Sequence, residues 1–401
     1  MNINQETGQK TASFGREQAG HFSLTELNSR VERVRSRLRE KDLEGMLVFS
    51  PENIYYLTGL NHQGFFSPHI LIVPRQGRMR LIMRSMEQAA FEAQIKNAVF
   101  AGHNDDQSPG QRAGEVVKSM GLQRARLGLE KQSLFTPITL WEDLQTKLPG
   151  VRWHDASLYI DRLRMTKSPE ELRCIREASR ISLAMMQAAR ETARPGLSEA
   201  EIAAEVLQAM VRAGGELPGF GPFIRATPTM AQEHVTWSDY RLRKGDTLFV
   251  ELSGCYNRYH APMGRLFFLG EPPAGTVRIA EICNQAFESV VAAMKPGQTA
   301  GRVYQAWQDV VDRAGLRQYQ RHHCGYMIGI GFPPSWVGGS GVVSLRRNSQ
   351  MVLETGMSFH LLSWLVGSGP GDYLLTDTAC VTENGGLALR QFPIEPQVIA
   401  A

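Results

Sequence analysis

The first twenty residues, Met1 to Gly20, are polar and contain no apolar stretch that would serve as a signal peptide or a membrane span. A secreted or membrane-embedded protein is therefore not expected, and the location read from this is cytoplasmic. No run of like charge is present either, since 44 Lys and Arg are balanced by 40 Asp and Glu along the chain. Nucleic acid is not an expected partner. Cysteine is scarce: the five residues are an odd number with no CxxC spacing, which fits reduced thiols better than a disulfide framework or a zinc site. Cys174, Cys255, Cys283, Cys324 and Cys380 read instead as small buried thiols. Low-complexity tracts and tandem repeats are also lacking.

With 401 residues, 42% of them hydrophobic, the chain exceeds one ordinary core, and two domains are expected after a loose arm at 1–20. Residues 24–40 carry a Ser cap and an amphipathic helical pattern, and Gly45-Met-Leu-Val-Phe-Ser follows as a buried strand. Further apolar runs near 69–74 and 80–83 predict a small α/β domain over 21–160. At Ser168-Pro-Glu-Glu a cap, an N1 proline and acidic first-turn residues start a helix. Arg194-Pro-Gly ends it, and Ser198-Glu-Ala-Glu starts another. From 217 onward strand-like segments dominate, with helices again near 276–294 and 301–313. Helix pairs followed by strands occur twice, which predicts an internal pseudo-symmetry.

Several phrases in order resemble the creatinase and aminopeptidase P (pita-bread) superfamily. They are Arg164-Met-Thr-Lys-Ser-Pro-Glu-Glu-Leu, Pro195-Gly-Leu-Ser-Glu-Ala-Glu-Ile, His234 before Arg243-Lys-Gly-Asp, Gly325-Tyr-Met-Ile-Gly, Gly356-Met-Ser-Phe and Asp377-Thr-Ala-Cys-Val-Thr-Glu-Asn-Gly. The resemblance implies a creatinase-like α/β N-terminal domain and an α+β pita-bread catalytic domain over 161–401. Metallopeptidases of this superfamily hold two divalent ions with two Asp, one His and two Glu. Carried over by motif, those positions fall on Glu251, on or near Pro262, on Tyr326, near Leu362 and near Thr376. One carboxylate survives, so neither a metal nor another cofactor is expected. Within the metal-free branch, Glu251-Leu-Ser-Gly-Cys-Tyr-Asn-Arg-Tyr-His-Ala-Pro-Met-Gly-Arg and Gly325-Tyr-Met-Ile-Gly-Ile-Gly-Phe-Pro-Pro-Ser-Trp look most like ectoine hydrolases. Creatinase matches less well, because its carboxylate would fall on Gly264.

These matches make Glu251 and His234 the candidate catalytic pair. Glu251 is a charge in an otherwise apolar strand, costly unless paired or useful; the competing reading is a structural salt bridge to Arg265. His234 is expected on a strand edge, facing the substrate. Tyr326, Trp237, Phe332, Trp336, His323, His360, Asp377 and Arg225 are the candidate substrate contacts. Phe65 and Phe66, in Gly64-Phe-Phe, resemble the loop that creatinase-like dimers insert into the neighbouring site, so a homodimer with a shared active site is expected. The expected reaction is hydrolytic opening of the cyclic amidine ectoine to an acetylated diaminobutyrate. A creatinase-like hydrolase of another small solute, a Xaa-Pro dipeptidase and a non-catalytic binding module are the alternatives.

Overall fold

The computed structural model describes residues 22–338, 341–369 and 371–400; the expected arm at 1–20 lies outside them. Ser23 accepts a hydrogen bond from the Glu26 amide and starts α1 (Leu24–Glu40), which buries Leu27, Val31, Val34 and Leu38 at helical spacing. Next come β1 (Gly45–Val48), α2 (Pro51–Thr58), β2 (Ile70–Pro74), β3 (Met79–Arg84), α3 (Gln88–Gln94), β4 (Ala98–His103), α4 (Pro109–Ser119), β5 (Arg126–Leu129), α5 (Ile138–Lys147) and β6 (Arg152–Asp155). The strands form one sheet in the order β4-β3-β2-β1-β5-β6. Met46 and Val48 join the core beneath α1 and α2, whereas Leu47 and Phe49 join the core beneath α4 and α5. Helices on both faces explain why this strand is an unbroken apolar run.

The expected junction at Asp161 falls within α6 (Tyr159–Met165), which packs on α1 and α2. Ser168 and Glu171 then close a capping box, with Pro169 in the first turn, at the head of α7 (Pro169–Thr192). Ser198 and Glu201 close another on α8 (Glu199–Arg212). After these come β7 (Phe223–Ala226), β8 (Thr247–Tyr256), β9 (Tyr259–Leu269), α9 (Thr276–Ala293), α10 (Ala300–Arg313), β10 (Gly325–Met327), β11 (Ser358–Leu365), β12 (Tyr373–Thr382), β13 (Gly385–Ala388) and β14 (Gln397–Ile399). Their sheet runs β10-β11-β12-β9-β8-β7, with β13 on β12 and β14 on β9. Two helix pairs are each followed by strands of this sheet, β7–β9 after the first and β10–β14 after the second, the order read from the sequence. Both second helices, α8 and α10, are entered through a basic residue, Pro and Gly: Gly196 has φ +91° and Gly297 φ +84°. Ser198 caps α8 and Thr299 caps α10.

Alternation along the strands decides what reaches the site. Val250 and Leu252 pack with Ile181, Met185 and Val206 of α7 and α8, and Ser363 is hydrogen-bonded to Cys283 of α9 and Trp307 of α10. Glu251, Leu362 and Trp364 therefore point to the opposite, helix-free face. A two-residue turn, Asn257 (φ +47°) and Arg258 (φ +62°), fixes the β8–β9 register. That register sets Glu251 opposite Gly264. All five cysteines are buried and unpaired. No helix among the described residues is long and apolar enough to cross a membrane.

Candidate active site

On the helix-free face, a cavity of about 630 Å³ lies between the two domains, with Glu251, Tyr326, Leu362 and Trp364 from the second and Glu52, Leu134 and Phe135 from the first. The floor is a single cross-strand row: Leu362 pairs with Thr376, Thr376 with Gly264, and Gly264 with Glu251. Three of the five motif-derived ligand positions are thus neighbours in space. Gly264 is required where it stands, because a Cβ there would lie 2.8 Å from Thr376 Oγ1.

Glu251 is the only carboxylate in this row. Its side chain is 13% exposed and its Oε1 lies 3.7 Å from His360 Nε2, with no hydrogen-bond partner. Burial, reinforced by the Glu233 charge, pushes its pKa up to about 7 against the opposing pull of Arg225 and Arg321. Arg265, the partner considered for it from sequence, points to the other face and binds Asp377 at 2.8 Å. The structural salt bridge is between those two residues.

Beside Glu251 runs a chain of neutral hydrogen bonds. Trp336 Nε1 donates to Tyr326 Oη at 3.0 Å, which leaves the phenol hydrogen for His360 Nδ1 at 2.8 Å. His360 Nε2 in turn donates to Thr376 Oγ1 at 2.8 Å. Burial pulls the His360 pKa down to about 3, so it serves as a neutral relay.

Of the residues singled out from sequence, Glu251, His234, Tyr326, His323 and Phe332 line the cavity. His234 is not on a strand edge: it sits exposed in a turn with φ +58°, its ring stacked toward Phe220 at 6.1 Å. His323 is held neutral, near pKa 3, by burial and by the neighbouring His322 and Arg321. Trp336 and His360 lie one layer behind, acting through Tyr326. Five expected contacts are placed elsewhere. Asp377 is 1% exposed, on the helix-covered face with Arg265. Trp237 packs against the α7–α8 core. Arg225 is buried with its guanidinium 4.6 Å above the Phe249 ring. Phe65 stands on its own chain's Phe332, at 5.2 Å, and Phe66 is 81% exposed; both border a smaller side cavity of about 250 Å³.

Sequence reasoning missed Arg321 and Glu233, which both line the main cavity. Arg321 lies 4.7 Å over the Trp364 ring. The basic cluster Arg321-His-His immediately before β10 was the available signal.

The residues present do not fit a pair of divalent ions at this row. Pro262 and Leu362 have no donor atom, and the hydroxyls of Tyr326 and Thr376 are engaged with His360. A single carboxylate cannot offset two dications.

Comparison with known proteins agrees with this architecture. Residues 173–383 match metallopeptidase family M24 and residues 30–166 the creatinase/prolidase N-terminal domain. An uncharacterized hydrolase/peptidase, y4tM, of Sinorhizobium fredii is 31% identical over 390 residues, covering 94% of this chain and 98% of the relative. The ectoine hydrolase of Halomonas elongata is 27% identical over 390 residues, covering 93% and 97%. Among solved structures, a prolidase from Thermococcus sibiricus superposes with TM-score 0.83 at 21% identity, covering 95% of this chain and all of that one. This chain belongs to metallopeptidase family M24, in the creatinase and aminopeptidase P superfamily with its pita-bread fold.

Proposed function

We propose that the protein is a hydrolase that opens the ring of a small cyclic amidine carrying a carboxylate, ectoine being the substrate, without a metal pair at the catalytic row. The observation that carries this reading is Glu251: one carboxylate, 13% exposed, whose Oε1 has no hydrogen-bond partner and whose pKa is pushed up to about 7, facing a cavity lined by Phe220, Phe332, Tyr326 and Trp364. A planar amidinium matches it, because the cation favours the ionised carboxylate while the aromatic faces accept a flat positive ring. Arg321 stands at the same cavity to hold the substrate carboxylate.

In this reaction, Glu251 takes a proton from water as its oxygen adds to the amidinium carbon. The tetrahedral carbon then expels one ring nitrogen, which receives a proton from His234; the hydroxyl proton passes to the imidazole as the C–O bond becomes the amide carbonyl, and Glu251 gives its proton to the released amine. One water is consumed and an acetylated diaminobutyrate is released. Direct attack by Glu251, expulsion of the ring nitrogen and hydrolysis of the resulting O-imidoyl intermediate give the same balance.

Phe66, 81% exposed, and Leu134, 85% exposed, border the side and main cavities respectively. They supply an apolar rim suited to a second copy of the chain, the basis for a homodimer. A second reading, another amidine or guanidine solute, is favoured by the cavity size of about 630 Å³, more than one small ring requires. The deciding experiment offers ectoine, creatine and Xaa-Pro dipeptides to the purified protein, with and without chelator, and follows products by NMR. Chelator-resistant appearance of the acetylated diaminobutyrate supports the proposal; metal-dependent dipeptide cleavage overturns it.

A further inference from the structure

From the first domain, the geometry points to a second chemical site: a mononuclear binding site for a borderline divalent transition-metal ion, of the zinc class, formed by His62, His69 and Glu87. Their ligand atoms all lie within 4.8 Å of one another. His62 Nε2 is 3.2 Å from Glu87 Oε1, and His69 Nε2 is 3.2 Å from Glu87 Oε2. Two atoms bound at about 2.1 Å to a tetrahedral ion lie about 3.4 Å apart, so the nitrogen–oxygen spacings already match a coordination shell.

Hydrogen bonding fixes which atoms point inward. His69 Nδ1 lies 2.9 Å from the Ser67 carbonyl oxygen, which can only accept, so Nδ1 carries the hydrogen. In the neutral ring, Nε2 is then the lone-pair nitrogen, oriented by a backbone carbonyl as metal-bound imidazoles commonly are. The His69 side chain is 0% exposed and that of Glu87 9%. His69 Nε2, His62 Nε2 and Glu87 Oε2 are all buried without a hydrogen-bond partner. With both rings neutral, lone pairs on nitrogen and carboxylate oxygen would face each other at 3.2 Å, and a shared cation removes that repulsion. Gly64 keeps the approach open, because a Cβ there would lie 2.2 Å from His62 Nε2 and 2.8 Å from Glu87 Oε1.

Two imidazoles and one carboxylate select zinc, cobalt or nickel over magnesium and calcium, and leave a coordination position for water. The ion would tie the 61–69 loop to the turn carrying Glu87. Phe65 lies 4.7 Å from the His69 ring and 5.2 Å from Phe332, so the loop's anchorage reaches the wall of the catalytic cavity. The site is separate from the Glu251 row and does not depend on the reaction proposed there.

The test is titration of chelator-treated protein with Co²⁺, read by visible d–d absorption, and with Zn²⁺, read by calorimetry. Wild type should take up one equivalent of either. His62→Ala, at a partly exposed position, and Glu87→Gln should abolish uptake, while Gly64→Ala should block it sterically with all three ligands intact. Glu251→Gln and His323→Ala should still bind one equivalent. Absence of binding to folded wild type would overturn the site and leave the cluster as proton-shared imidazolium–carboxylate pairs. Binding that survives in both His62→Ala and Glu87→Gln, or disappears in Glu251→Gln, would overturn it equally.

Discussion

Arg265 and Asp377 form the buried ion pair of the catalytic sheet, 2.8 Å apart with side chains 0% and 1% exposed, on the face turned away from Glu251. Arg265 also donates to the carbonyls of Gly264, Thr376, Pro393 and Phe392. The ion pair and the Glu251 carboxylate thus lie on opposite faces of the sheet. Asp377→Ala should cost about 3–5 kcal/mol, the usual penalty for leaving a buried charge alone, measured by denaturant unfolding. Glu251→Gln should lower kcat by about a hundredfold or more with little loss of melting temperature. Near-normal kcat in Glu251→Gln would remove this residue from the mechanism.

The pH dependence of kcat/KM should show an acid limb near 7, rising as Glu251 ionises. Glu233 raises that pKa and Arg321 lowers it. Glu233→Gln should therefore move the limb to lower pH, and Arg321→Met to higher pH. Stability carries the same signature with a defined sign. A carboxyl group whose pKa is raised by folding loses stabilisation as pH climbs from the ordinary carboxylate range through about 7. Glu251→Gln should gain stability relative to wild type across that interval, and equal pH profiles of melting temperature would contradict the shift.

Arg321→Met should raise KM for a carboxylated amidine by about tenfold or more, while an analogue lacking the carboxylate is bound equally by both enzymes. This split separates a charge that grips substrate from one that merely supports Trp364. Equal losses for both ligands would assign Arg321 to structure.

Chelator treatment should leave kcat within about twofold, because the Glu251 row lacks the anionic oxygens that a pair of dications needs. Any tightly held metal should amount to one equivalent and should be lost in His62→Ala. Two equivalents that depend on Glu251 would reverse the assignment of the row.

Phe66→Ala should weaken self-association, read by sedimentation at several concentrations, and raise KM or lower kcat. Full activity of a strictly monomeric form would exclude a shared site.

Much of the architecture was legible because its signals are local. The capping boxes at Ser168 and Ser198 and the Pro-Gly entry to α8 act within a few residues, and each starts or stops a helix where expected. Glu251 stood out since an idle charge on an apolar strand is costly. Asp377 was misplaced although the pattern contained the answer: Thr376 faces the row, so strand alternation turns its neighbour to the other side. Trp237, His234, Glu233 and Arg321 belong to connecting segments, and no periodicity states which way a loop residue faces. For these, only tertiary packing separates cavity lining from core.

The neutral chain from Trp336 through Tyr326 and His360 to Thr376 bears on how this site can change by mutation. Each member satisfies the next, so no single substitution at these positions improves metal affinity without orphaning a buried polar group. A glutamate at position 376 alone would face Glu251 across glycine with no cation between them, two carboxylates competing for one proton. A glutamate at 362 alone would still lack the imidazole that Tyr326 replaces. Recovery of a metal pair requires several coordinated changes, each unfavourable by itself. The hydrogen-bonded row thus works as a ratchet: stepwise substitution toward a metal pair meets a buried, unsatisfied polar group at each step.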